Sequence, residues 1–157
     1  MILSYVCPEC IILDLKEKSK EGVIARLAEA ASKAVPGLKT DKIIQVLKER
    51  EELGTTGIGG GVAIPHGKLD DLDEMIIVVA RSKEGVPFES ADNKPVHVIF
   101  LLLAPNDAAT QYLKTLAKIS RVLRMEGVSQ KILDAEGKDE IRAVIEEAED
   151  KIRSGDF

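Results

Sequence analysis

Tryptophan is absent from these 157 residues and aromatics make up only 3%, too few rings for a base-stacking surface. Two cysteines do not staple a chain of this length, so a disulfide scaffold is excluded. Positive charge is also short: 22 Lys and Arg against 27 Asp and Glu give a net charge of -5. No basic cluster is dense enough to follow a phosphate backbone, and nucleic acid is not expected as a partner. The longest apolar run, Val98 to Ala104, is far below the roughly 20 residues that span a bilayer. No basic segment precedes the first apolar residues. No membrane insertion is expected, and the chain reads as soluble and cytoplasmic.

What is present is a globular balance, 45% hydrophobic and 31% charged, rather than the signature of a disordered chain. Length and the absence of repeats or linkers predict a single domain over residues 1–157, with an N-terminal arm at 1–10 and a core at 11–153. Ile11 to Leu15 suits a short strand. Val23, Ile24, Leu27, Ala28 and Ala31 recur at helical spacing until Pro36-Gly37, and a second helix follows Thr40 or Asp41 as N-cap and ends near Gly54. Thr55 to Gly61 is too glycine-rich for any regular element and is expected to be a loop. Val62 to Ile64, Met75 to Ala80 and Val96 to Leu103 read as strands, with turn chemistry at Glu84-Gly85-Val86-Pro87 and Asp92-Asn93-Lys94-Pro95. Leu113, Leu116, Ala117, Ser120 and Leu123 mark the inner face of a helix ended by Gly127, and two more helices follow over Val128 to Ala135 and around Ile141 to Ile152. This order predicts an α/β fold whose central sheet is covered on both faces.

Chemistry concentrates in Thr56-Gly57-Ile58-Gly59-Gly60-Gly61-Val62-Ala63-Ile64-Pro65-His66-Gly67-Lys68. Gly57, Gly59, Gly60 and Gly61 can turn backbone N–H groups onto an anion and form a phosphate-holding nest. The spacing excludes a Walker A loop, because Leu69 stands where Ser or Thr would hold magnesium, and the third glycine of a dinucleotide fingerprint is missing. His66 has a lone pair free at neutral pH and can attack phosphorus. Pro65 and Gly67 beside it argue against a ring buried in a regular element. Arg50 offers a permanently charged fork as a second contact. The competing reading is a surface turn with an incidental His and a solvated Arg.

The run Glu49-Arg50-Glu51-Glu52-Leu53-Gly54-Thr55-Thr56-Gly57-Ile58-Gly59-Gly60-Gly61-Val62-Ala63-Ile64-Pro65-His66-Gly67 closely resembles the active-site signature of the fructose/mannitol-type (type 2) enzyme IIA of the phosphoenolpyruvate:sugar phosphotransferase system, a family with a nitrogen-regulatory branch. The likeness extends over about residues 10–150. It implies a three-layer α/β/α sandwich with a mixed central sheet, and a phosphotransferase component that carries the phosphoryl group itself. His66 would accept it from the phosphohistidine of an HPr-type phosphocarrier protein upstream and pass it to a Cys of a IIB component, with Arg50 on the phosphoryl oxygens. The alternative is a regulator whose His66 phosphorylation state controls its binding to a regulated protein. A weaker alternative is a non-transferring anion-binding module of the same fold, against which the intact Ile64-Pro65-His66 segment argues. No IIB or IIC segment is attached, which leans toward regulation. No cofactor and no metal are expected.

Two positions depart from the family pattern. Gly60 stands where Asn is frequent, and Tyr112 stands where many members have a second His. A Tyr hydroxyl can hydrogen-bond the ring or the phosphoryl group without titrating near neutrality; a core-edge role is the alternative. Lys68 either steers an acidic partner or is a solvated loop residue. His97, inside an apolar run, is read as a strand histidine rather than a second site. Cys7-Pro8-Glu9-Cys10 is a lone C-x-x-C with no second ligand pair, expected to lie in a variable arm.

Overall fold

A computed structural model describes residues 1–155; the single-domain expectation ran to 157, and Asp156 and Phe157 lie outside the described residues. Two 3-10 turns, Ile2–Tyr5 and Pro8–Cys10, lead into β1 (Ile11–Ile12), α1 (Lys20–Ala34), α2 (Thr40–Glu52), β2 (Gly57–Gly59), β3 (Val62–Ala63), β4 (His66–Leu69), β5 (Ile76–Val86), β6 (Val96–Pro105), α3 (Ala109–Arg124), α4 (Val128–Asp134) and α5 (Lys138–Ser154). The strands form one mixed sheet in the order β1-β5-β6-β3-β2, with β4 also paired to β6. β6 runs antiparallel to β5 and parallel to both β3 and β4. It is buried at every position but His97, as a strand covered on both faces must be. α1 and α2 pack together on one face; α3, α4 and α5 pack together on the other. The α/β/α architecture with a mixed sheet is therefore the one the sequence implied. Among the described residues no helix is long and apolar enough to cross a membrane.

Local sequence explains most boundaries. Ser19 caps α1 by accepting the Gly22 N–H at 3.0 Å. α2 begins at Thr40 with Lys39 at its N-cap, one residue earlier than the Thr40 or Asp41 cap expected. The α4 C-terminus is held by buried Arg81, which donates to the carbonyls of Ile132 (3.0 Å), Leu133 (3.2 Å) and Ala135 and so meets the negative end of the helix dipole with a fixed cation.

Several expectations are corrected. Thr55 to Gly61 is not a loop throughout, since Gly57–Gly59 pairs antiparallel with β3 and only the Gly60-Gly61 connection is a tight turn. β5 runs through Glu84-Gly85 to Val86 instead of turning there, absorbing Gly85 at φ +85° with a register shift between Arg81 and Val86. The inner face of α3 is Tyr112, Thr115, Ile119, Val122 and Leu123, so Leu113 points outward. The N-terminal arm at 1–10 packs onto the core, with Ile2, Val6 and Cys10 buried in it.

Candidate functional site

β3 and β4 lie end to end along the same edge of β6, and the break between them is Ile64-Pro65. Proline has no N–H to give the ladder; its carbonyl still accepts Leu102 N–H at 3.0 Å. The break frees the Ile64 carbonyl to face the His66 ring, which donates its Nδ1–H to it at 2.7 Å. That bond fixes the tautomer: Nδ1 carries the proton and Nε2 keeps the lone pair. His66 thus opens a strand and is half-buried, contrary to the expectation drawn from its Pro and Gly neighbours.

Arg50 in the last turn of α2 points its Nε–H at His66 Nε2 at 3.1 Å, while its Nη1 is anchored on the Gly54 carbonyl at 2.8 Å. α2 approaches this closely because of Gly67, where a Cβ would come within 2.5 Å of Val46 Cγ1, one turn before Arg50. From the other face α3 brings Tyr112, whose ring centroid is 6.0 Å from that of His66. Lys68, two residues along β4 and so on the same side as His66, holds its Nζ 5.9 Å from the Tyr112 ring centroid. The structure brings His66, Arg50, Tyr112 and Lys68 together.

It does not bring the glycines with them. Val62 pairs with Val98 and His66 with Leu102, so the Gly59–Gly61 turn lies beyond four residues of β6, roughly 13 Å along the strand. These glycines serve a hairpin turn, with φ of +93°, +66° and +78°. The anion the turn holds is the protein's own: Asp92 Oδ2 accepts Gly60 N–H at 3.0 Å and Oδ1 accepts Lys94 N–H at 3.1 Å, which holds its carboxyl below the usual range. Gly57 is spent likewise. Its N–H donates to Thr55 Oγ1 at 3.1 Å, and a Cβ there would meet Ser90 Oγ at 2.5 Å.

Electrostatics keep His66 neutral. Burial of the ring, opposed by the Ile64 hydrogen bond and aided by the Arg50 charge, lowers its pKa below the ordinary value. Tyr112 is pushed up to about 12, chiefly by burial. The site therefore offers an unprotonated Nε2, a guanidinium already in contact with it, and a phenol that stays protonated.

A further support was not foreseen from sequence. Glu51, next to Arg50, accepts hydrogen bonds from Thr56 N–H at 3.0 Å and from Thr56 Oγ1, and pairs with Lys20 at 2.8 Å. Thr56 O in turn accepts Ile64 N–H at 3.0 Å. A hydrogen-bonded line thus runs from Lys20 through Glu51, Thr56 and Ile64 to His66 Nδ1. Its only sequence signal was an acidic residue beside the Arg.

A sheet edge that holds one neutral imidazole against an arginine, reached by helices from both faces, defines a histidine-centred class of α/β/α domain. The chain belongs to the family "Phosphoenolpyruvate-dependent sugar phosphotransferase system, EIIA 2", whose model matches residues 4–148. It is 43% identical over 131 residues to a "Nitrogen regulatory protein" of Bradyrhizobium diazoefficiens, covering 83% of this chain and 85% of that one. It is 36% identical over 146 residues to a "PTS system fructose-specific EIIA component" of Haloferax volcanii, covering 92% and 95%. Among solved structures, the nitrogen regulatory protein IIA-Ntr of Neisseria meningitidis superposes with a TM-score of 0.86 at 29% identity, over 90% of this chain and 97% of that one.

Proposed function

We propose that this protein is a phosphocarrier whose His66 Nε2 receives a phosphoryl group from an HPr-type phosphohistidine protein and passes it to a Cys of a IIB component. The observation that carries this reading is the Arg50 Nε to His66 Nε2 contact. In the transfer the donor's N–P bond breaks as the Nε2–P bond forms, and the proton stays on Nδ1, hydrogen-bonded to the Ile64 carbonyl throughout. The donor histidine, protonated on its other ring nitrogen, leaves as a neutral imidazole, so no proton need move at the reacting nitrogen. Arg50 is placed to exchange its bond to the lone pair for bonds to phosphoryl oxygens, where charge stabilisation is worth most. Arg50 and Lys68 bring positive charge to an otherwise acidic protein. Leu53, 85% exposed after Arg50, and Leu113, 63% exposed beside Tyr112, give the surrounding surface apolar points for a protein partner.

A second reading shares the first step. The 43% identity to a nitrogen regulatory protein favours a regulator, in which phosphorylation of His66 changes which proteins bind. Phosphoryl transfer from phosphoenolpyruvate through purified enzyme I and an HPr-type carrier, read by intact mass, tests the shared step. Acid-labile phosphate on the wild type and none on His66→Ala is expected. Subsequent loss of that phosphate to a IIB cysteine separates transport from regulation. No phosphate on folded wild type with any carrier would overturn both readings.

A further inference from the structure

The phosphoryl chemistry makes no use of Cys7-Pro8-Glu9-Cys10. In the structure the two sulfurs are bonded to each other across a sequence separation of 3, and their environments differ. Cys10 is fully buried in the core, whereas Cys7 is only partly buried and lines a cleft of about 500 Å³ with Ser4, Val6, Pro36, Asp71 and Glu74. Of the two residues, Cys7 borders the cleft and Cys10 has no exposed surface.

The bond is not what holds this segment in place. Ile2 and Val6 are buried on their own account. Ile2 N–H donates to Glu149 Oε1 at 2.8 Å, Lys138 Nζ to the Pro8 carbonyl at 3.3 Å and Arg142 Nη1 to the Val6 carbonyl at 3.4 Å. A disulfide that closes so short a loop removes little entropy from the unfolded chain. It can therefore open without the fold opening. Among the described residues no group of His, Cys, Asp and Glu is arranged to hold a metal ion.

We propose that Cys7 and Cys10 form a reversible thiol–disulfide exchange site that reacts through Cys7 with a dithiol. The incoming thiolate attacks Cys7 Sγ, forming a mixed disulfide there, and the Cys7–Cys10 bond breaks with its electron pair going to Cys10, which takes up a proton. The second thiol of the dithiol then attacks its own partner sulfur and releases Cys7. The protein gains two electrons and two protons, and the dithiol leaves as its disulfide. The reverse sequence oxidises the pair. The direction of attack follows from burial, since only Cys7 faces the cleft.

The test uses the folded full chain and reads thiols, not phosphate, so its outcome is independent of the His66 reading. Oxidised protein is treated with dithiothreitol, then acid-quenched, alkylated with a maleimide and weighed intact, with circular dichroism recorded alongside. Dithiothreitol should open the bond in native protein and give two alkylations that revert on re-oxidation. With oxidised glutathione, Cys10→Ser should form a mixed disulfide on Cys7, while Cys7→Ser should leave Cys10 unmodified until denaturant is added. Reduction only on unfolding, failure of the bond to form under oxidant, or equal adduct formation at both positions would each overturn the proposal.

Discussion

His66 and His97 are the chain's only histidines, and their settings differ in one informative way. His66 is the first residue of β4 and His97 the second of β6, and both are half-buried. Both engage Nδ1 with a backbone carbonyl, His66 with Ile64 at 2.7 Å and His97 with Ser82 at 2.8 Å. Both therefore present a lone pair on Nε2. At His97 that nitrogen faces the backbone of Gly85, where even a single Cβ would come to 3.1 Å of it. At His66 it faces the Arg50 guanidinium at the open edge of the sheet, beside Tyr112 and Lys68. Selecting a tautomer is thus common to a structural and a reactive histidine; the surroundings of the other nitrogen separate them.

The largest expected break in this contrast comes from Arg50. Arg50→Ala leaves His66 its tautomer but not its cation, and phosphoryl acceptance should fall by about 10²–10³-fold. Arg50→Lys should recover little of it, because a point charge does not replace the fork. The same Arg50→Ala change should raise the His66 pKa in an NMR titration, since the Arg50 charge lowers it. Next comes Gly67→Ala, whose methyl would collide with Val46. We expect a loss of about 1–3 kcal/mol in chemical denaturation and a slower transfer as Arg50 is displaced. Val46→Ala in the same chain should return both.

The pH dependence gives a smaller effect with a definite sign. Neutral His66 is the reactive form and its pKa lies below the ordinary value, so the acid limb of transfer should fall at lower pH than for a free imidazole. As pH drops through about 6.5 the unfolded chain protonates first, so this histidine costs stability on the acid side. Tyr112, held near 12, does not titrate in that window. Tyr112→His should add a second titration between about pH 5 and 8; a superimposable pH–rate profile would remove Tyr112 from the site. The smallest effect belongs to His97→Ala, expected to cost about 1 kcal/mol through the lost hydrogen bond while transfer continues at the wild-type rate.

The sequence made His66 and Arg50 legible because a reactive imidazole and a fixed cation are chemical types, recognisable without their neighbours. Tyr112 was found only through likeness to a family, and reading Leu113 as the inward residue of α3 set that helix one position out of phase. A Tyr and a Thr filling inward positions 112 and 115 hide the helical phase from an apolar count. The glycine run misled more. Its left-handed φ values are what a tight hairpin turn demands, and an anion nest has the same composition; only the strand register, which joins distant segments, distinguishes them. Gly67 looked like part of that run although its role is separate, the close approach of α2. Glu51 was invisible for a similar reason, since its partners Lys20 and Thr56 are adjacent only in the folded chain.

The most direct test of the central claim is a long-range proton–nitrogen NMR spectrum of the imidazoles before and after phosphorylation by an HPr-type carrier. His66 should start as the Nδ1–H tautomer and gain phosphorus on Nε2, with the His97 signals unmoved. Phosphorus on Nδ1 of His66, or on His97, would contradict it.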